Sequence, residues 1–494
     1  MVPVSFRIMV GSAVLLGLFA CADALRLELP SGTGGGDAGT TVGIGGGGGV
    51  IGCASNSDCP EPTSVCDDVK GICVECLDLE DCAFRPGTVC DVGVCACAGG
   101  ETYCESVGCV DTMGSSEHCG ACDRACFGTC SAGACVDPWL PVSDDDAPTA
   151  RGFHVAAFAA GKMMVWGGSS DAGSSNNLED GGLYDPATNT WTKMTTVGAP
   201  SARQFATAVW TGTEVIVWGG RDGSTYLEDG AIYDPATNTW RAMTSDGAPP
   251  GRFRHTAVWS GSQMVVFGGQ DGSGRLADGG RYDPATDSWS PTQAVPPPGE
   301  TRTNHTAVWD DSANEMIIFG GLGDYGVVGS AFFPDGTVPG SRTYNPALNT
   351  WDAVTTTSQA TARDRHSAVF SDGRMLVFGG YDGANELDQG YKLENGTWST
   401  FNGDAPRARR EHSAVILEDE SKMVVFGGRN SENGTVNLAD GGVYDLSTNA
   451  WDKPVPTAIG GRYGHTAVST GSTMIVWGGF GTAGALATGG VYTP

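Results

Sequence analysis

Short apolar runs recur along the chain from residue 155 onward, each closed by two glycines. The clearest is Met264-Val265-Val266-Phe267-Gly268-Gly269. The pairs are Gly167-Gly168, Gly219-Gly220, Gly268-Gly269, Gly320-Gly321, Gly379-Gly380, Gly427-Gly428 and Gly478-Gly479, at steps of 52, 49, 52, 59, 48 and 51 residues. Each run sits in a larger unit. An Arg-x-x-His element precedes it, as at Arg252 and His255, and a second short apolar run follows that element (Thr256-Ala257-Val258-Trp259). After the glycines come a loop, an Asp-Gly-Gly-x-Tyr stretch (Asp278 to Tyr282) and a tryptophan, Trp289. Runs of four or five β-branched and aromatic residues bounded by Gly, Asn and Asp read as strands. Each unit therefore predicts four, A to D: A after the histidine, B ending in Gly-Gly, C through the tyrosine and D at the tryptophan. Turns as short as Ser260-Gly261-Ser262 predict antiparallel neighbours.

Self-similarity at a period near fifty residues resembles the kelch repeat, one unit per propeller blade. The resemblance implies an all-β, seven-bladed kelch propeller. The last unit has Arg462, His465, Gly478-Gly479 and Tyr492, but no tryptophan before Pro494. The missing piece stands at the other end. Trp139 to Arg151 matches Trp191 to Arg203 in length and in its Ala-Pro near the end. Trp139 is thus expected to open the outer strand of the last blade and close the ring, which would leave no blade with an unpaired edge. The propeller is placed at residues 137–494.

Because strands alternate in direction, the A–B and C–D turns share one face and the B–C and D–A loops the other. The B–C loops vary most, and in a repeat protein variation marks the binding face. The longest, Leu322–Gly340, carries Tyr325, Phe332 and Phe333. The Arg-x-x-His arginines are expected to pair with the acids that open strand C (Asp180, Asp229, Asp278, Asp388, Asp440). The histidines, one per blade around a ring, read as hydrogen bonds between blades and not as ligands converging on one metal. The second blade has Ala206 in place of histidine. Six further arginines match no such acid: Arg221, Arg254, Arg275, Arg365, Arg410 and Arg429. They read as a mouth fit for a carboxylate or sulfate.

The kelch resemblance implies either a binding module or an enzyme. Galactose-oxidase-like copper enzymes of this superfamily need a propeller cysteine, and no cysteine follows Cys135. A mutarotase-type activity on an anionic sugar is the alternative. The residues show no nucleophile–base pair and no metal-ligand spacing, so the expectation is binding of a protein or glycan, without a cofactor. The net charge of -29 argues against nucleic acid.

The first 136 residues have a different character. Residues 1–20 have one basic residue, Arg7, and an apolar run from Ile8 to Ala20, a signal-peptide pattern too short to span a bilayer comfortably. Leu18-Phe19-Ala20-Cys21 resembles the lipobox of bacterial lipoproteins, although Phe19 is bulky for its position. Ala20-Cys21-Ala22 also fits an ordinary signal peptidase. Lipidation additionally accounts for Cys21, the odd one of seventeen cysteines. Residues 21–52 continue as anchor and tether, with twelve glycines between Ser31 and Gly52.

The other sixteen cysteines lie between Cys53 and Cys135, the first eight in two similar sets of four, and suit a disulfide module over residues 53–136. It resembles cysteine-rich modules of bacterial surface lipoproteins and stigma-type secreted proteins. The expected location is the outer membrane or cell surface, with secreted or periplasmic as the alternative. Mass spectrometry of the mature protein is expected to find an acylated N-terminal Cys21. A mature chain starting at Asp23 without acyl groups would reject the anchor.

Overall fold

The computed structural model describes residues 138–494, apart from 174, 295–300, 325, 329–339, 355–359, 432–433 and 456–458, together with short strands between residues 65 and 136. The chain divides into two compact units, and the second contains everything from Ala96 to Pro494. Residues 1–52, where the signal peptide, the anchor at Cys21 and the tether are expected, lie outside the described residues, as do the side chains of the cysteine-rich segment. That segment contributes four two-stranded hairpins, the first pairing Val65–Asp67 with Ile72–Val74.

Seven four-stranded antiparallel sheets follow, one per repeat. In the first, Val155–Ala159, Lys162–Trp166, Gly181–Asp185 and Thr190–Lys193 pair in that order. The later A strands are Thr207–Trp210, Thr256–Trp259, Thr306–Asp310, Ser367–Ser371, Ser413–Leu417 and Thr466–Ser469. Burial explains the composition of each strand. Strand B lies between two neighbouring blades and is covered on both faces, so all four residues of Met264–Phe267 are buried. That is why it reads as a continuous apolar run without alternation. Strand D is outermost, and in Thr190–Lys193 only Trp191 is buried.

The Asp-Pro-Ala-Thr-Asn-Thr sequence builds the C–D turn. Asp185 Oδ1 accepts from the Ala187 amide at 3.0 Å, and Asn189 takes a left-handed φ of 53°. Asn is among the few residues that visit that region readily. Its Oδ1 accepts from the Tyr184 hydroxyl at 2.8 Å and from the Ser143 amide, at the end of the preceding D segment, also at 2.8 Å. Trp191 crosses the same seam and donates Nε1–H to the Ser143 carbonyl at 2.9 Å. The second glycine of strand C exists because of that indole. A Cβ on Gly182 would lie 2.9 Å from the Trp191 ring and 2.8 Å from Pro148.

The last sheet is completed from the other end of the chain. Its order is Thr466–Ser469, Met474–Trp477, Gly489–Tyr492 and then Trp139–Pro141. Tyr492 faces Trp139 in the register, and the Thr493 amide donates to the Pro138 carbonyl at 2.8 Å. Trp139 packs on Phe426 of the sixth sheet at 4.9 Å between centroids and on Tyr492 at 5.2 Å. It is as buried as its six counterparts. Because Tyr492 ends strand C, Trp139 lies at the face of the A–B and C–D turns. Pro138 therefore enters from that face.

Trp139→Ala is expected to cost about 3–5 kcal/mol, the usual range for a buried tryptophan. Deleting residues 137–143 should cost more and promote aggregation, because it bares the edge of the last blade. Thermal denaturation of both variants checks this. An unchanged melting temperature after the deletion would mean that the strand does not close the ring.

Candidate functional site

The seven arginines of the Arg-x-x-His elements are all buried (Arg151, Arg203, Arg252, Arg302, Arg363, Arg409, Arg462). Arg151 shows the design. Its Nη1 donates to the carbonyls of Gly167 (3.0 Å) and Asp180 (2.8 Å), its Nη2 to Asp180 Oδ1 (2.8 Å) and its Nε to the Thr149 carbonyl (2.7 Å). The expected pairing also holds for Arg203–Asp229, Arg252–Asp278 and Arg409–Asp440. In the fifth blade the expectation of Asp388 is off by one residue. The slot belongs to Gln389, whose carbonyl accepts from Arg363 at 2.8 Å, and Tyr391 lies 4.9 Å from the guanidinium. In the seventh, Arg462 donates to Thr488. Burial pulls the pKa of Arg363 and of Arg462 down to about 10, so both remain charged at neutral pH.

The histidines do bridge blades. His255 Nε2 meets Thr207 Oγ1 at 2.9 Å, and the same bond joins His305 to Thr256, His366 to Thr306, His412 to Ser367, His465 to Ser413 and His154 to Thr466. Each histidine takes a hydroxyl from the blade before it. The exception explains itself. Blade two has Ala206 where the histidine would be, and blade one has Val155 where the hydroxyl would be. Donor and acceptor are missing together, and that seam is apolar, with both residues in one core cluster.

The residue two places after each arginine forms the mouth of the central channel on the B–C/D–A face. These are Phe153, Phe205, Arg254, Asn304, Arg365, Glu411 and Gly464, and all seven have φ between 52° and 61°. Amides join them around the ring: Phe153 to the Gly464 carbonyl (2.8 Å), Phe205 to Phe153 (3.1 Å), Arg365 to Asn304 (3.0 Å) and Glu411 to Arg365 (3.0 Å). Only Asn304 and Gly464 suit a left-handed backbone. For the bulky and charged members it costs of order 1–3 kcal/mol each, a cost that proteins tolerate mainly at functional sites.

Two sectors occupy this mouth. Around blades seven, one, two and three lies an aromatic sector. Phe153 packs on Phe205 at 4.4 Å and on Phe480 at 5.2 Å, and Phe253 stacks on Tyr226 at 5.7 Å. Arg221 lies 4.5 Å from the Phe253 centroid and Arg254 lies 4.8 Å from that of Phe205. Around blades five and six lies a sector of alternating charge. Arg365 pairs with Asp364 at 2.9 Å, Arg410 with Glu386 at 3.2 Å and Arg429 with Glu411 at 2.7 Å. The expectation of six unmatched arginines is thereby corrected. Arg365, Arg410 and Arg429 find carboxylates from the loops rather than from strand C, and Arg275 pairs with Asp324 at 3.5 Å. Arg275 sits between the B–C loops of blades three and four. Tyr325, Phe332 and Phe333 lie outside the described residues.

Arg254 is different. Among the described residues no carboxylate lies within ion-pair distance of it. Burial lowers its pKa, and the opposing fields of Glu411 and Arg221, then Arg365 and Asp364, reach it from around the ring. Asp364 is almost fully buried, and desolvation raises its pKa against the pull of Arg365. The sequence reading missed Phe153, Phe205, Asp364, Glu386 and Glu411. The signal for most of them was the two variable positions inside Arg-x-x-His. It also missed the opposite mouth, an open apolar hollow of about 510 Å³ that includes Phe158, Trp210, Trp259, Trp309 and Phe370 from the ends of the A strands.

A family model described as the KLHDC2/KLHL20/DRC7 Kelch-repeats domain matches residues 138–321, 254–402 and 390–492. The chain is similar to Kelch domain-containing protein 3 of Bos taurus, 28% identical over 24% of this chain and 35% of that protein. It is similar to Kelch domain-containing protein 1 of Mus musculus, 30% identical over 18% and 22%. It is also similar to the Host cell factor homolog hcf-1 of Caenorhabditis elegans, 26% identical over 36% and 26%. The chain thus spans between about a fifth and a third of the length of these relatives.

The histidine belt makes stability depend on pH. Burial, and then the neighbouring arginine, lower the pKa of His255 and His465 to about 3, and the other four lie well below the ordinary value. The folded histidines are therefore neutral, whereas the unfolded ones titrate near 6.5. Above that pH neither state binds the proton and the contribution is flat. Between about 6.5 and 3 the unfolded chain binds more protons, so stability falls as pH falls. The limit is about 1.4 kcal/mol per pH unit for each histidine. Denaturant unfolding is expected to show a steep loss between pH 7 and 5, with a shallower slope in His255→Gln. A flat profile over that range would contradict the neutral belt.

Proposed function

This chain belongs to the kelch-repeat family, and on that premise we propose that it is a surface-attached binding protein whose channel mouth docks a protein partner. Kelch propellers are typically protein-interaction domains. The observation that carries the reading is the left-handed ring. Five of its seven positions hold side chains that strain the backbone, and these side chains form the two sectors of one mouth. A strained, half-buried array of phenylalanine and arginine is the composition of an interface centre, where aromatic residues and arginine carry most of the binding energy.

The partner's chemistry follows from the two sectors. The aromatic sector takes an apolar side chain against the half-buried rings of Phe153 and Phe205. Arg254 takes an acidic group beside it, since no carboxylate among the described residues lies within ion-pair distance of it and Glu411 and Asp364 reach it only through their fields. The paired ions of blades five and six set orientation more than affinity. Pro138, where the described propeller begins, enters at the face opposite the mouth. The lipid anchor, the disulfide-bonded spacer and export to the cell surface belong to this proposal.

Immobilised protein tested against a panel of purified extracellular proteins is the direct measurement. A genuine partner is expected to lose roughly tenfold or more in affinity on Arg254→Glu, and similarly on Phe205→Ser, at a cost of about 1.4 kcal/mol per tenfold. Substitution of exposed Leu348, in a C–D turn on the opposite face, should change nothing. A partner insensitive to both ring variants would place the docking surface elsewhere.

A further inference from the structure

Beside the mouth, the B–C loop of blade five and the start of blade six enclose a cleft of about 600 Å³. Tyr381, Glu386 and Arg410 form one wall, and Asn385, Asp388 and Ser431 stand around it. Arg410 is held in place by three contacts: Glu386, the Ser431 hydroxyl at 3.3 Å and the Tyr381 ring at 4.9 Å. Asn430 is fixed below by donating to the Ala408 carbonyl at 2.7 Å.

Three features distinguish this cleft within the repeat. Glu386 is the only carboxylate at its position, where the corresponding residues are Asn177, Tyr226, Arg275, Val327, Asn437 and Ala485. Asp388 is not used by the arginine belt, because Gln389 fills that slot. Asn385 and Asp388 are exposed, and neither side chain is committed to the fold.

We propose that this cleft binds a neutral pyranose. Arg410 and Glu386 cancel in charge, and the rest of the lining offers carboxylate, amide and hydroxyl groups. An anion placed here meets Asp388, and a cationic group such as an ammonium is donor-only, so it leaves the donors of Asn385 and Ser431 without an acceptor. An apolar group would desolvate Arg410 and both asparagines without replacing their hydrogen bonds. A polyol satisfies donors and acceptors together and carries no charge to oppose either. The volume admits a single ring with its linkage, within the range of small-ligand sites. The inference does not depend on the protein partner: the Arg410–Glu386 pair borders both, but the contacts that carry the partner's affinity are at Phe205 and Arg254, which do not line this cleft.

The experiment uses the full-length chain and a set of methyl pyranosides, with acetate and methylammonium as charged probes. Saturation-transfer NMR and calorimetry are expected to detect at least one pyranoside in the millimolar range and neither ion. Asp388→Ala and Asn385→Ala should each weaken it roughly tenfold. Both sites are exposed, so the melting temperature should not move. Arg254→Glu should leave it bound. Loss of the protein partner in that variant with retained sugar binding separates the two sites. No pyranoside signal, a signal indifferent to Asp388 and Asn385, or preference for either ion would overturn the assignment.

Discussion

Everything in this propeller hangs on a belt of seven buried arginines and seven pairs of left-handed glycines. Within a blade, the guanidinium holds the carbonyl of the first glycine, as Arg252 does with Gly268 at 3.0 Å. Between blades, the amide of the second glycine donates to the next arginine's carbonyl. Gly269 reaches Arg302 and Gly479 reaches Arg151, each at 2.8 Å, which closes the circle. The glycines are obligatory for two reasons. Their φ values are positive throughout, and a Cβ on Gly168 would lie 2.7 Å from the Gly152 carbonyl. A buried arginine is tolerable because most of its N–H groups meet fixed carbonyls.

The seams between blades follow from that belt. Once strand starts are fixed at one radius, the residue after each histidine faces the next blade's histidine, and a hydroxyl there completes the bond. Where the histidine is lost, at Ala206, the hydroxyl is lost as well, at Val155. A lone buried imidazole or hydroxyl is costly, whereas an alanine against a valine is simply core. Six polar seams and one apolar seam are thus two solutions to the same constraint.

The belt also frees the mouth to vary. Arginine anchors each of these turns from below, joined by histidine in six of the seven, so the two residues after the arginine need only accept the backbone geometry. That allows phenylalanine, arginine or glutamate at left-handed positions. Variation in this propeller collects at those positions and in the B–C loops above them, while the flanking residues stay committed to the ring.

The sequence by itself determined the seven blades, the closing strand at Trp139, most of the arginine–aspartate pairs and the bridging role of the histidines. These are legible because local chemistry repeats: turn residues, a doubly buried strand and a buried tryptophan recur in each unit. Only the tertiary structure decided which charges meet. Glu386 and Arg410 belong to different blades. Asp364 and Arg365 are sequence neighbours that pair only because the turn directs them together. The slot taken by Gln389 depends on the register of one strand. The left-handed ring and the aromatic hollow at the other end arise when seven equivalent positions converge on an axis, and no single repeat contains that axis.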